Sequence, residues 1–149
     1  MNFETIVRQT AERLGLRYKF GPLPYLNQVL DEVATTITDE TVCLGIQVTD
    51  GTYLFDDGPY YRRGVETQRM RLAFCHKTPL DYDPTVVEAL VADLKDTGLR
   101  LIAGLEATGA FTPIGETLYT VMFDAFDANL VVVLFEFDLA EKDGFCFDE

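Results

Sequence analysis

Residues 118–139 (LYTVMFDAFDANLVVVLFEFDL) restrict the possible fold more than any other part of this chain. Two apolar runs flank the segment DAFDAN at 124–129, and the second run, Leu130 to Phe135, holds no polar side chain. It is far shorter than the roughly 20 apolar residues that a membrane-spanning helix needs, and its valines and phenylalanine suit a pleated strand better than a helix. Asp and Asn tolerate left-handed backbone and bond to their own main chain, so 124–129 reads as the turn of a β-hairpin. In the second strand Val131, Val133, Phe135, Phe137 and Leu139 share one face. Leu130, Val132, Leu134, Glu136 and Asp138 share the other, which becomes charged only near its end. A strand apolar on both faces for half its length belongs inside a sheet, or meets a second layer or subunit.

The elements on either side supply helices. Phe3, Ile6, Val7, Thr10 and Leu14 recur at helical spacing and Gly15 follows, which predicts an amphipathic helix over 2–14. Arg17 to Phe20 reads as a short extended piece, and the punctuation of Gly21, Pro22 and Pro24 precedes a second helix expected from Tyr25 to about Ala34. Val42, Leu44, Ile46 and Val48 alternate with Cys43, Gly45, Gln47 and Thr49, the pattern of a half-buried strand. Asp50 and Gly51 form a two-residue hairpin signal that would return the chain into Thr52 to Phe55. A longer strand is expected from about Tyr61 to Cys75, with Met70, Leu72 and Phe74 inward, Arg69, Arg71 and Ala73 outward, and Gly64 at a bulge.

Asp83 followed by Pro84 is a helix start, because the carboxylate caps free amides and Pro at the first helical position loses no hydrogen bond. Val87, Leu90, Val91, Leu94, Gly98, Leu101, Ile102 and Leu105 then form one stripe. Gly98, inside that stripe, costs about 1 kcal/mol of helix propensity relative to Ala and allows close contact with a sheet. Residues 107–117 read as a loop and the end of the chain as a charged tail. The order predicts an α+β domain spanning 1–149: a mixed or antiparallel sheet of about five strands, with an N-terminal helix pair and one long helix packed on it.

The net charge of −13 argues against partners that are themselves negative, so neither sequence-specific nucleic-acid binding nor membrane association is expected. The charge is uneven. Arg62, Arg63, Arg69, Arg71 and Lys77 fall between Tyr60 and Lys77 beside one acid, Glu66, whereas six acids and one Lys lie from Glu136 onward. Two readings follow: solvated faces with pairing inside the chain, or head-to-tail association of copies through complementary patches. The residues assigned to such an interface are Tyr60, Tyr61, Arg62, Arg63, Arg69, Arg71, Glu136 and Asp138, since Tyr and Arg are favoured at binding hot spots. Glu136 and Asp138 are equally suited to pair with Arg69 and Arg71, should the two strands lie side by side.

Chemistry is sparse. Cys75 and His76 are adjacent, but strand neighbours point to opposite faces and do not make an activated thiol pair. Cys43, Cys75 and Cys146 lack the spacing of a disulfide framework or zinc site. Asp81 and Asp83 begin like a calcium loop, but Thr85 and Val86 stand where a ligand and the Gly belong. Asp56, Asp57, Asp124 and Asp127 are accounted for as turn-forming acids. No Walker loop, dinucleotide fingerprint or nucleophile elbow is present. No catalytic residue, metal ligand or cofactor is therefore assigned, and a non-enzymatic protein is expected. Met1 to Gly15 carries Glu4, Arg8, Glu12 and Arg13 and does not read as a signal peptide, so folding in a reducing cytoplasm is expected.

Three stretches, FGPLPYLNQVLDEV, MRLAFCHKTPLDYDPTVVEALVADLKDTGLRLIAGL and FDANLVVVLFEFDL with its GFCF tail, resemble in order and spacing the small α+β tail-terminator or tail-completion proteins of tailed bacteriophages and prophages. The resemblance implies a virion part that assembles as a homo-oligomeric ring at the head-proximal end of a tail or at the neck. It implies contacts with tail-tube or head-tail connector proteins, and a place in the virion after assembly in the bacterial host cytoplasm. The alternative from the residues is a small-molecule or peptide-binding module with a pocket under loops 50–64 and 107–117.

Overall fold

A computed structural model describes residues 2–22, 41–57, 62–77, 83–123 and 130–147, with side chains not described at 57 and 145–147. The helix expected from Tyr25 to Ala34, the turn 124–129 and the loop tip carrying Tyr60 and Tyr61 lie outside these residues. The elements are α1 (Phe3–Arg13), β1 (Arg17–Gly21), β2 (Val42–Ile46), β3 (Gly51–Asp57), β4 (Arg62–Lys77), α2 (Pro84–Ala107), β5 (Thr117–Phe123), β6 (Leu130–Ala140) and β7 (Phe145–Phe147). The class is α+β as expected. Seven strands form one sheet in the described residues, mostly antiparallel with β1 and β2 the one parallel pair. The two strands beyond the expected five come from the short extended piece at 17–21 and from the tail.

The sheet is built on β4, sixteen residues long. Along one of its sides β2 pairs with residues 72–75 and β3 with residues 62–68, both antiparallel. Along the other side β6 pairs with residues 67–77 and β7 with 62–64. The Asp50–Gly51 hairpin is thus absent. The chain continues past Asp50 in the same direction beside β4, and Gly51 pairs with Gln68 instead of turning back on β2. β4 offers β3 a ladder of seven residues, longer than the five-residue β2 could.

Both neighbours of β4 slip by the same amount. Five residues, 46–50, stand opposite three of β4 between the pairs Gly45–Leu72 and Gly51–Gln68. Four residues, 141–144, stand opposite two between Ala140–Thr67 and Phe145–Gly64. An insertion of two preserves the alternation of side chains, whereas an insertion of one would turn every later residue to the opposite face. The predicted bulge at Gly64 is therefore misplaced. Gly64 keeps regular partners on both sides, and the extra residues sit in the flanking strands. Gly144 makes one slip possible: its φ is +66°, and a Cβ there would run into the Gly64 carbonyl oxygen.

β6 lies between β4 and β5, the interior position that its apolar faces predicted. Val131, Val133, Phe135, Phe137 and Leu139 join Met70, Leu72 and Phe74 in a core completed by Phe3 and Val7 of α1 and Leu94, Leu101 and Leu105 of α2. Gly98 lets α2 approach closely, for a Cβ at this position would overlap the Phe135 ring. The Asp83 carboxylate accepts from the Thr85 amide at 3.0 Å, as the capping signal predicted. On the opposite face Val42, Leu44, Ala73, Cys75, Leu130 and Val132 form a second buried cluster. This corrects two expectations: β2 is buried on both faces, and Ala73 points away from the helices yet is not exposed.

Candidate functional site

Two halves of different character result. Residues 70–77 of β4 lie in a five-stranded, helix-backed half. Residues 62–66, with β3 and β7, form a three-stranded ribbon continuing beyond it. Among the described residues no helix packs on β3 or β7, and residues 51–56 of β3 are all exposed. Tyr53 and Phe55 stack with ring centroids 6.2 Å apart, and the Arg62 guanidinium stands over the Phe55 ring at 4.8 Å. Leu54, on the reverse face, is 69% exposed. A second apolar exposure lies on β5, at Leu118, Tyr119 and Phe123.

The ribbon is fastened at the slip between β6 and β7. The buried Glu141 carboxylate accepts from the Glu66 amide at 2.9 Å, supplying an acceptor where the backbone ladder is interrupted. The Glu141 amide donates to the Glu66 carbonyl at 3.1 Å. Arg63 donates through Nε to the Asp143 carbonyl at 2.9 Å and through Nη2 to the Lys142 carbonyl at 2.8 Å. A buried amide without an acceptor costs about 1–3 kcal/mol, so these side chains stabilise an otherwise weak joint.

The charged residues assigned to an interface are brought together inside one molecule. β4 and β6 are neighbours, with Arg69 opposite Asp138 and Arg71 opposite Glu136. Arg69 reaches Asp138 at 3.4 Å and Glu136 at 3.7 Å, and Arg71 reaches Glu136 at 3.9 Å. The acids and bases therefore form one mixed patch on the face away from the helices, not two separate complementary patches. Arg62 and Arg63 are in the ribbon, and Arg63 braces its backbone. Sequence reasoning missed the exposed residues of β3 and β5. The signal was available in Tyr53-Leu54-Phe55, three consecutive large apolar residues that cannot all face one core.

The anticipated pocket divides in two. A groove of about 810 Å³ runs between the N-terminal end of α1, β1 and the slip that joins β2 to β3, lined by Phe3, Glu4, Tyr18, Gly45, Tyr53, Gln68 and Met70 among others. Burial and the nearby Glu4 carboxylate raise the Tyr18 pKa, so its hydroxyl remains a donor. Loop 107–117 borders a separate cleft of about 250 Å³ with Arg69, Leu118 and Asp138.

Cys43 and Cys75 are both buried, on opposite faces of the sheet. Burial pushes the Cys75 thiol up to about 12 and raises that of Cys43 as well, with Cys75 adding to the latter. Both remain protonated at neutral pH and are poor nucleophiles. His76 Nδ1 lies 2.9 Å from the Lys77 carbonyl oxygen, which only accepts, so this nitrogen carries the proton. Among the described residues, no group of three or more His, Cys, Asp or Glu side chains is gathered to hold a metal ion. No described helix is long and apolar enough to cross a membrane. No family model matches the chain, and no curated protein sequence matches it either.

Proposed function

We propose that this protein is a non-enzymatic structural part of a phage or prophage tail or neck, of the tail-terminator or tail-completion kind, which assembles as a ring of identical copies. The observation that carries the reading is the ribbon. It extends past the helix-backed half and presents Tyr53, Leu54 and Phe55 to solvent, while its backbone is braced by Arg63 and Glu141. Large apolar side chains held on a rigid support are suited to docking, because little conformational freedom is lost when they are covered. The buried, protonated thiols support a packing role for Cys43 and Cys75 instead of a catalytic one. In this reading tail-tube or head-tail connector proteins are the further partners, and the virion is the destination.

Light scattering across protein concentration, in low and high salt, tests the proposal. A defined multiple of the 16.8 kDa chain mass is expected, and Leu54→Ala with Phe55→Ala should lower its stability without unfolding the monomer. A monomer under all conditions, with no binding to a tail-tube or connector protein, would overturn it. The groove beside Tyr18 favours a second reading, a binding module for a peptide or small molecule. Its mark would be saturable binding to the monomer, abolished by Gly45→Leu.

A further inference from the structure

Natural sheets protect their edge strands with charges, prolines, bulges or a covering element, since an open edge templates pairing with another strand. β5 carries none of the first three. It has seven residues without a charge or proline, and every one of them is in unbroken register with β6. Among the described residues no strand pairs with its other side, and Leu118, Tyr119 and Phe123 are exposed along it. At the opposite end of the order β1-β2-β4-β6-β5 lies β1, likewise paired on one side only among the described residues.

The two ends match. β5, β6, β4 and β2 alternate in direction and β1 runs parallel to β2, so β5 and β1 point in opposite directions within one molecule. Copies placed side by side in the same orientation would therefore join β5 to β1 antiparallel, the more stable form of pairing. The faces also agree. Tyr119 and Phe20 both lie on the helix side, each exposed, through their partners Phe135 and Gly45 in the register. On the other face β1 carries the exposed Lys19, while β5 is preceded by the exposed Glu116. In a chain of net charge −13, copies repel each other unless basic residues of one meet acids of the next, and this juxtaposition supplies that complement.

We infer that β5 of one copy pairs antiparallel with β1 of the next, joining the sheets of successive copies edge to edge and head to tail. The inference deepens the ring reading and rests on it. Because the contact uses two different edges, it leaves one of each open at the ends of any unclosed chain of copies, and closure removes both.

The test uses Thr120→Cys in a Cys146→Ser background, treated with a short maleimide–succinimide cross-linker in low salt. Within one molecule the two edges are separated by four strand spacings, about 19 Å, beyond a short linker. The expected product is an oligomer band in which the peptide holding position 120 is joined to the peptide holding Lys19. Lys19→Arg should remove the band, because it takes away the amine that the linker needs. Disulfide-linked dimers through position 120 itself would show β5 pairing with β5 and overturn the inference. An oligomer by light scattering with no link to Lys19 would place the joint elsewhere, overturning the inference but leaving the ring reading. A monomer at every concentration and salt would overturn the inference together with the ring.

Discussion

β4 passes through two environments within sixteen residues, and the contrast explains the molecule. From Met70 to Cys75 its side chains, apart from the exposed Arg71, are buried on both faces, between strands on each side and with α1 and α2 over one face. From Arg62 to Glu66 it has a strand on each side for part of its length but, among the described residues, no helix above it, and its neighbour β3 is exposed throughout residues 51–56. Backbone pairing is common to both regions. Apolar burial is confined to one of them. A three-stranded ribbon with exposed side chains gains little from the hydrophobic effect, and here Glu141 and Arg63 brace its backbone.

The sharpest way to break this comparison is to truncate one residue in each region. Phe74→Ala should destabilise by about 3–5 kcal/mol in urea unfolding, the cost of emptying a buried aromatic site. Leu54→Ala should change stability by no more than about 0.5 kcal/mol, as for an ordinary surface position. A Leu54→Ala cost close to that of Phe74→Ala would mean that the ribbon has a packed environment after all.

A smaller effect isolates the joint. Glu141→Ala leaves the Glu66 amide without its acceptor and should cost about 1–3 kcal/mol. Glu141→Gln keeps a carbonyl oxygen in place and should recover most of that. Amide exchange should quicken at Glu66 in the alanine variant and scarcely in the glutamine one. Equal losses in the two variants would show that charge matters there more than the hydrogen bond.

The smallest effect lies at the boundary between the halves. A double-mutant cycle on Arg69 and Asp138 should return at most about 1 kcal/mol, declining in salt, because exposed ion pairs gain little over hydrated charges. A larger, salt-insensitive coupling would give this patch a structural weight that its exposure does not predict.

What sequence alone determined is local or periodic. The stripe from Val87 to Leu105, the Asp83 cap, the gap at Gly98 and the two apolar faces of β6 were all legible, since each depends on neighbours a few residues away or on a repeat that survives any packing. The pairing of Arg69 and Arg71 with Asp138 and Glu136 was legible as a condition: given adjacent strands, parity and charge did the rest. Tertiary structure alone decided which strands became adjacent. Asp50 and Gly51 carry a hairpin signal, yet a turn forms only if the strands it joins find no better partner, and β4 offered β3 a ladder of seven residues. The same competition drew residues 145–147 out of an apparent tail into the sheet, and left Tyr53, Leu54 and Phe55 exposed on the ribbon. Periodicity records which side chains can share a face; which face is covered depends on contacts between residues far apart in the chain, and these have no local signature.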